Sequence, residues 1–309
     1  MKGTMSKPTV SLDRLTITAN LNADDFNRWE RDNRHLFVDA KVAKTKWGYP
    51  LYRTAYLTPD GTHVSLDKKE KLGSTHQIRL QFNPNREPLF DDDPGDITIR
   101  LLTCLKDVRI TGVDIAIDYL GVRIHEYDFL YPRVQRKTFC TGFGCQESIE
   151  FGAPTSSLKV AAYAKDKQRA KQNQRILTVN GEMFIPEGDE PWLRVEASMK
   201  NDSILRNDAF KGLTVFRKGS FVPPDGMTSG MAENLTLISI NPAYMDYPTV
   251  HQNTRDDWRK KLLKGVNMLE PHPQKVYEDE YGQIKEAIDY LLSPVGNGLS
   301  QQARNLLNV

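Results

Sequence analysis

Two aspartates inside an apolar segment are the first candidates for chemistry in this 309-residue chain. Asp114 and Asp118 interrupt the hydrophobic stretch 108–119, which is typical of a strand. Residues four apart on a strand point to the same face, so both carboxylates are expected on one side of a sheet. Buried carboxylates need a cation or hydrogen-bond donors. The pair therefore predicts either ion pairs with Arg or Lys, or a site for a divalent metal ion.

Residues 192–199 alternate in the same way and supply a third acid. Arg194, Glu196 and Ser198 share one predicted face, and apolar residues occupy the other. Glu196 would complete a carboxylate cluster with Asp114 if the two strands are neighbours. An ordinary half-exposed strand shows the same alternation, so a surface strand is the alternative interpretation.

A basic segment, residues 159–171, carries a tyrosine among its cations. Such cations can contact phosphates, while Tyr163 offers a hydroxyl group or a ring for stacking. A solvated basic strand end and helix would have the same composition. The candidate DNA contacts in this segment are Lys159, Lys167, Arg169 and Lys171.

A second basic cluster lies on a predicted helix at 254–269, beside Trp258. The helix either faces phosphate or only keeps the protein soluble. Its candidate DNA contacts are Arg259, Lys260 and Lys261.

Several common site signatures are absent from the sequence. There is no P-loop, no complete dinucleotide-binding glycine pattern and no Cys-x-x-Cys pair, and the 6 histidines are scattered. A zinc site is therefore disfavoured. Any metal would be held by carboxylates, which suits Mg²⁺ or Mn²⁺.

The composition indicates a globular protein, with 27% charged and 39% hydrophobic residues. The net charge of +2 neither requires nor excludes a nucleic-acid partner, because a local basic patch can bind phosphate. The 3 cysteines do not suggest a disulfide framework, and no apolar run has membrane-spanning length. We therefore expect a cytoplasmic protein with no membrane contact.

The order of the predicted elements indicates an α+β fold. Mixed strands and helices without regular βαβ spacing favour a mixed or antiparallel sheet with flanking helices over a doubly wound fold. We expect an α+β domain over 1–222 and a mainly helical C-terminal region over 223–309. Strands are predicted at 12–21, 49–64, 78–82, 108–119, 148–151, 159–163 and 192–199. Helices are predicted at 23–35, 97–105, 166–174, 254–269 and 277–307.

Four segments, taken in this order, resemble a known family. They are 78–85 (IRLQFNPN), 111–118 (TGVDIAID), 147–152 (ESIEFG) with 163–165 (YAK), and 193–196 (LRVE). Together they resemble the Rep_trans family, the initiators of rolling-circle plasmid replication and related relaxases of conjugative elements. The resemblance covers about residues 10–220. It implies an initiator that binds an origin and nicks one DNA strand through a tyrosine that stays bonded to the 5′ phosphate.

The resemblance also implies a role for each candidate residue. Asp114 and Glu196 would hold the Mg²⁺ or Mn²⁺ ion, with Asp118 as a helper. Lys165 and Arg194 would stabilise phosphate charge. The expected ligands are origin duplex and single-stranded DNA, with a host helicase as a further partner and a homodimer as the assembly.

The family pattern has Arg where this chain has Val113, and a second departure matters more. The family's nucleophilic tyrosine corresponds to Glu150, which cannot form a phosphotyrosine link. Either the alignment is offset here, or another tyrosine, with Tyr163 nearest in sequence, takes the role. A third alternative is a DNA-binding initiator or regulator that does not cut. A fourth is a metal-dependent nuclease that uses water, with Glu150 in a two-metal site.

Overall fold

A long antiparallel sheet organises most of the chain. The computed structural model describes residues 7–37, 54–58, 61–71, 75–84, 97–131, 136–140, 146–166, 176–177, 183–184, 190–241, 244 and 250–307. The strands in this part are β1 (Thr9–Asn22), β2 (Thr54–Leu57), β3 (His63–Lys71), β4 (Thr75–Phe82), β5 (Arg109–Leu120), β6 (Tyr127–Leu130), β7 (Arg136–Cys140), β8 (Gln146–Phe151), β9 (Leu158–Ala164), β10 (Ile176–Leu177), β11 (Met183–Phe184), β12 (Trp192–Lys200) and β13 (Thr214–Arg217).

Nine of these strands form the main sheet, in the order β2-β3-β4-β1-β5-β12-β9-β8-β7. The pairs within it are antiparallel. Two smaller two-stranded sheets pair β10 with β11 and β13 with β6. The α+β fold class predicted from the sequence is confirmed.

Six helices accompany the strands in the described part of the chain. They are α1 (Ala23–Asn33), α2 (Ile97–Leu102), α3 (Ser229–Ile240), α4 (Gln252–Leu262), α5 (Pro273–Leu292) and α6 (Gln301–Leu307). None of them combines the length and the hydropathy that a bilayer-spanning helix needs.

The side-chain alternation of the strands divides the main sheet into two faces. Leu15, Ile17 and Ala19 of β1 point into the apolar core, as do Ile115 and Ile117 of β5. Helices α1, α5 and α6 pack against this apolar side. The residues between them project to the other side, which we call the polar face.

A β-bulge at Asp13 interrupts the alternation of β1. Leu12 pairs with Ile115 and Arg14 pairs with Asp114, so one extra residue sits between two consecutive partners on β5. The bulge lets Leu12 and Leu15, three residues apart, both reach the core. It also turns Asp13 towards the polar face.

The predicted helices agree with the structure less closely than the predicted strands do. The helical pattern predicted over 277–307 is divided in the structure, because α5 ends at Leu292 and a 3₁₀ turn, Ser293–Gly298, precedes α6. Pro294 near the start of that turn lacks the N–H that would continue the helix, and Gly296 adopts φ 55°. Helix α3 was not predicted, and residues 167–174 of the predicted helix at 166–174 lie outside the described residues.

The hydrophobic core extends across residue 222, where the sequence suggested a boundary. Tyr277, Ile284 and Ile288 of α5 belong to the same buried cluster as Leu15 of β1 and Val195 of β12. A smaller apolar cluster surrounds α3 and α4, and consists of Leu130, Phe216, Phe221, Leu235, Ile238 and Leu262. The C-terminal region therefore contributes helices to the sheet's own core.

This shared core makes a prediction about unfolding. Ile284→Ala should lower the free energy of unfolding by about 2–4 kcal/mol, because a fully buried side chain is truncated. Urea unfolding should stay a single transition whether it is followed by far-UV circular dichroism or by tryptophan fluorescence. The exposed neighbour Gln283 gives the control, since Gln283→Ala should change little. Two separate transitions, only one of them shifted by Ile284→Ala, would contradict a shared core.

Candidate active site

The polar face brings the predicted site residues of three neighbouring strands together. Asp118 on β5 lies opposite Arg194 on β12, and Arg194 lies opposite Tyr163 on β9. Residues directly opposite on antiparallel strands project to the same face. Asp114 shares this face with Asp118, and Glu196 shares it with Arg194, because each pair is separated by an even number of residues. Asp114 and Glu196 therefore lie on one face of adjacent strands, which is the condition that the predicted carboxylate cluster requires.

Arg194 is held by two aspartates from different strands. Its Nε and Nη2 donate to the two carboxylate oxygens of Asp118 at 2.7 and 2.8 Å, and its Nη1 donates to Oδ1 of Asp13 at 2.8 Å. The Nε1 of Trp192 also donates to Asp118, at 2.7 Å. The Arg194 side chain is 1% exposed. The guanidinium group is therefore a fixed positive charge beneath the polar face.

This network defines the position of Asp118. Both of its oxygens accept hydrogen bonds from Arg194, and its side chain is fully buried. Asp118 thus orients Arg194. Both of its oxygens are engaged by this contact, which makes Asp118 a poor ligand for a metal ion.

Asp114 forms its own ion pair with β1. The Nη2 of Arg14 lies 2.6 Å from Oδ2 and 2.8 Å from Oδ1 of Asp114. Burial raises the pKa of Asp114, while the charge and hydrogen bond of Arg14 and a hydrogen bond from Ser198 oppose that rise. Arg14 is one-third exposed, so the open side of the pair meets solvent.

A tyrosine and a glutamate are hydrogen-bonded to each other on this face. The hydroxyl of Tyr163 donates to Oε2 of Glu196 at 2.8 Å. Burial raises the pKa of Glu196 to about 8, and the nearby carboxylates of Asp13 and Asp114 add to that rise. Burial and the charge of Glu196 also raise the pKa of Tyr163 well above its usual value. A hydroxyl that donates to a carboxyl group in this way has the geometry of a nucleophile with its general base once the carboxyl group is ionised.

Lys165 adds a buried amine beside this pair. Its side chain is largely buried, and its Nζ lies 5.9 Å from the centroid of the Tyr163 ring. Burial and the charge of Arg194 lower the pKa of Lys165, which makes its ammonium group a better proton donor.

Glu150 lies farther along the same face. It is opposite Ala161 on β9, and Ala161 is opposite Glu196 on β12. The two glutamates thus occupy one cross-sheet row with a small side chain between them. Two strand spacings, roughly 10 Å, separate their backbones.

The predicted DNA contacts fall in three places. Lys159 lies on β9 opposite Ser198, so it belongs to the polar face. Lys167, Arg169 and Lys171 lie outside the described residues. On α4, Arg259 pairs with Asp256 at 3.0 Å and Lys261 pairs with Asp257 at 2.7 Å, whereas Lys260 is exposed.

The acids of the polar face fit a divalent cation by their chemistry. Asp13 and Asp114 lie near enough to Glu196 to disfavour its ionisation, and a cation would relieve that repulsion between like charges. Carboxylate oxygens are the ligands that Mg²⁺ and Mn²⁺ prefer. Within the described ranges, however, no three or more His, Cys, Asp or Glu side chains form a ready-made cluster for a metal ion.

Sequence reasoning missed Asp13, Arg14 and Trp192 as parts of this site. A signal for the first two was present. Two core leucines, Leu12 and Leu15, are three residues apart within an otherwise alternating strand. That spacing is compatible with a strand only if a bulge lies between them.

Comparison with known proteins gives an independent finding. The chain is 23% identical over 271 residues to a "Replication initiation protein" of Staphylococcus aureus, an alignment that covers 86% of this chain and 78% of that protein. The chain is similar to a replication initiation protein. A solved structure of the rolling-circle replication initiator protein from Geobacillus stearothermophilus aligns with 82% of this chain and 97% of its own, at 14% identity and a TM-score of 0.41. No family model matches the chain.

The Arg194 network predicts a large stability effect. Arg194→Leu should lower the free energy of unfolding by about 3–5 kcal/mol, because it leaves the buried carboxylate of Asp118 without its partner. The matched control is Arg109→Leu, which removes a half-exposed pair with Asp107 and should cost less than about 1 kcal/mol. Urea denaturation measures both. Equal losses in the two variants would contradict a central role for this network.

The raised pKa of Glu196 predicts how stability depends on pH. Without metal, the folded protein keeps a proton on Glu196 up to about pH 8, whereas the unfolded chain releases it near its ordinary pKa of 4.5. The free energy of unfolding should therefore fall as pH rises between these values. The glutamine side chain in Glu196→Gln cannot ionise. The free energy of unfolding of this variant, relative to that of the natural protein, should therefore increase as pH rises over this range.

The measurement is urea unfolding in chelator at several pH values across this range. Glu286→Gln, on the exposed side of α5, is the control and should show no such trend. A stability difference for Glu196→Gln that does not change with pH would show that Glu196 is already ionised at neutral pH in the folded protein.

Proposed function

We propose that this protein is a DNA replication initiator that binds its origin and cuts one strand at the polar face of the sheet. One observation carries the proposal. The hydroxyl of Tyr163 donates to Glu196 beside the fixed charge of Arg194 and the carboxylate of Asp114. The similarity to a replication initiation protein over 86% of the chain supports the same conclusion.

Tyr163 is the proposed nucleophile. Its hydroxyl oxygen attacks the phosphorus of a phosphodiester, and its proton passes to Oε2 of Glu196, 2.8 Å away. The bond between phosphorus and the 3′ oxygen breaks, and the 5′ phosphate stays bonded to the tyrosine. The 3′ oxygen takes a proton from Lys165, whose lowered pKa suits that role. The products are a phosphotyrosine link and a free 3′ hydroxyl group.

Charged side chains around Tyr163 prepare this step. Arg194 supplies a fixed positive charge next to Tyr163, since Asp118 and Asp13 prevent its movement. Asp114 and Glu196, with Asp13 as the nearest further carboxylate, would hold a Mg²⁺ or Mn²⁺ ion. Such an ion, when bound, polarises the phosphate oxygens and favours the ionised form of its ligands.

The DNA contacts of the proposal extend beyond the reactive centre. Lys159 lies on the polar face, and the exposed Lys260, with Arg259 and Lys261, provides positive charge on α4. Segment 167–171 contributes Lys167, Arg169 and Lys171 to the same function. The ligands are origin duplex and single-stranded DNA, with a host helicase as a further partner and a homodimer as the assembly.

Hydrolysis by water is a second candidate function, favoured by the position of Glu150. Glu150 and Glu196 share one cross-sheet row with only Ala161 between them, which leaves room for a water molecule near a second acid. This candidate predicts cleaved DNA without a covalent protein adduct.

Covalent trapping tests the proposal. The protein is incubated with labelled single-stranded origin DNA and Mn²⁺, and a denaturing gel then shows any adduct. Tyr163→Phe should abolish the adduct and leave DNA affinity within about twofold, because only the attacking oxygen is removed. The control is Tyr127→Phe, a change of a half-buried tyrosine on β6, which should keep the adduct.

Each other outcome has a defined meaning. An adduct that persists in Tyr163→Phe contradicts the assigned nucleophile. Cleaved DNA without any adduct favours hydrolysis with Glu150. DNA binding without cleavage under either metal favours an initiator that does not cut. In that case, an adduct created by Glu150→Tyr would show that the site lacks only its nucleophile.

A further inference from the structure

An exposed aromatic side chain lies at the edge of the polar face. Strand β7 is the last strand of the main sheet, and its Phe139 is 38% exposed. Phe139 is opposite Ser148 on β8, and Ser148 is opposite Tyr163 on β9. Phe139 and Tyr163 therefore project from the same face in the same cross-sheet row, with two strand spacings, roughly 10 Å, between their backbones.

An ammonium group lies beside Phe139, and the carboxylate of Glu150 projects from the position opposite Lys137 on β8. The Nζ of Lys137 lies 4.5 Å from the centroid of the Phe139 ring, and Lys159 projects from the same face two strands away. Most of the face between them is polar. An exposed phenyl ring beside an ammonium group is suited to one nucleotide, because the ring can stack on the base while the cation contacts the adjoining phosphate.

We propose that Phe139 stacks on an unpaired nucleobase of single-stranded DNA whose backbone continues towards Tyr163. The proposal rests on the proposed function and deepens it by placing the strand on the face. The bases of a duplex already stack on their neighbours, so only a single strand offers a base face to the ring. Lys137 then contacts the phosphate next to the stacked base, and the strand crosses β8 to reach the reactive centre.

The other edge of the sheet offers a matched control. Leu57 on β2 is 42% exposed and lies on the polar face as well, since it pairs with His63, which pairs with Gln81. It is aliphatic and cannot stack on a base in this way. A comparison of Leu57→Ala with Phe139→Ala therefore distinguishes the loss of exposed apolar surface from the loss of stacking on a base.

The test compares two single-stranded probes in fluorescence anisotropy at one low salt concentration. One probe is oligothymidylate, and the other is an abasic oligomer of the same length with the same phosphates. Phe139→Ala should weaken binding of oligothymidylate about 5- to 150-fold, the range of one lost base–aromatic stack, and leave the abasic oligomer unchanged. Phe139→Tyr should restore the affinity, and Leu57→Ala should affect neither probe.

Three outcomes would overturn this inference while the proposed function stands. In the first, Phe139→Ala binds oligothymidylate as tightly as the natural protein does. In the second, Phe139→Ala loses the same affinity for both probes. In the third, Leu57→Ala loses as much affinity for oligothymidylate as Phe139→Ala does. If the natural protein binds neither probe nor any origin duplex at low salt, the proposed function itself fails and this inference fails with it.

Discussion

The buried contact of Arg194 with Asp118 and Asp13 is the interaction on which the candidate site depends. It joins β1, β5 and β12 at the centre of the sheet, and removal of Arg194 would leave the fully buried carboxylate of Asp118 without its cation. A buried network of this kind adds little to the free energy of unfolding relative to apolar side chains of the same size. Its geometry nevertheless allows few other positions for the side chains that form it. It therefore fixes the positions of Glu196, two residues away on β12, and of Tyr163, directly across on β9.

The same network concentrates negative charge where the chemistry is proposed. The bulge in β1 directs Asp13 to the polar face, where its second effect is to raise the pKa of Glu196 together with Asp114. A glutamate with a pKa of about 8 that accepts a hydrogen bond from a tyrosine is suited to take up a proton once it is ionised. Asp13 thus holds Arg194 and also adds to the rise in the pKa of Glu196 that burial causes.

Strand alternation alone was enough to predict much of this arrangement. It predicted that Asp114 and Asp118 share one face of their strand, and that Arg194 and Glu196 share one face of theirs. Alternation does not give the register between strands, so it did not reveal that Asp118 lies opposite Arg194 and pairs with it. It also failed at Asp13, because a bulge breaks the period of two. Helix α5 filling the core of the sheet depends on long-range packing that local patterns do not encode.

The central claim is that one strand of DNA lies across the polar face with its scissile phosphate at Tyr163 and Glu196. The most direct measurement is a crystal structure of the protein with a single-stranded origin oligonucleotide and Mn²⁺. The account predicts electron density for the strand along the row from Phe139 to Tyr163, with anomalous scattering from Mn²⁺ beside Asp114 and Glu196. Density for the strand on α3 and α4 instead, with the polar face still covered only by solvent, would contradict it.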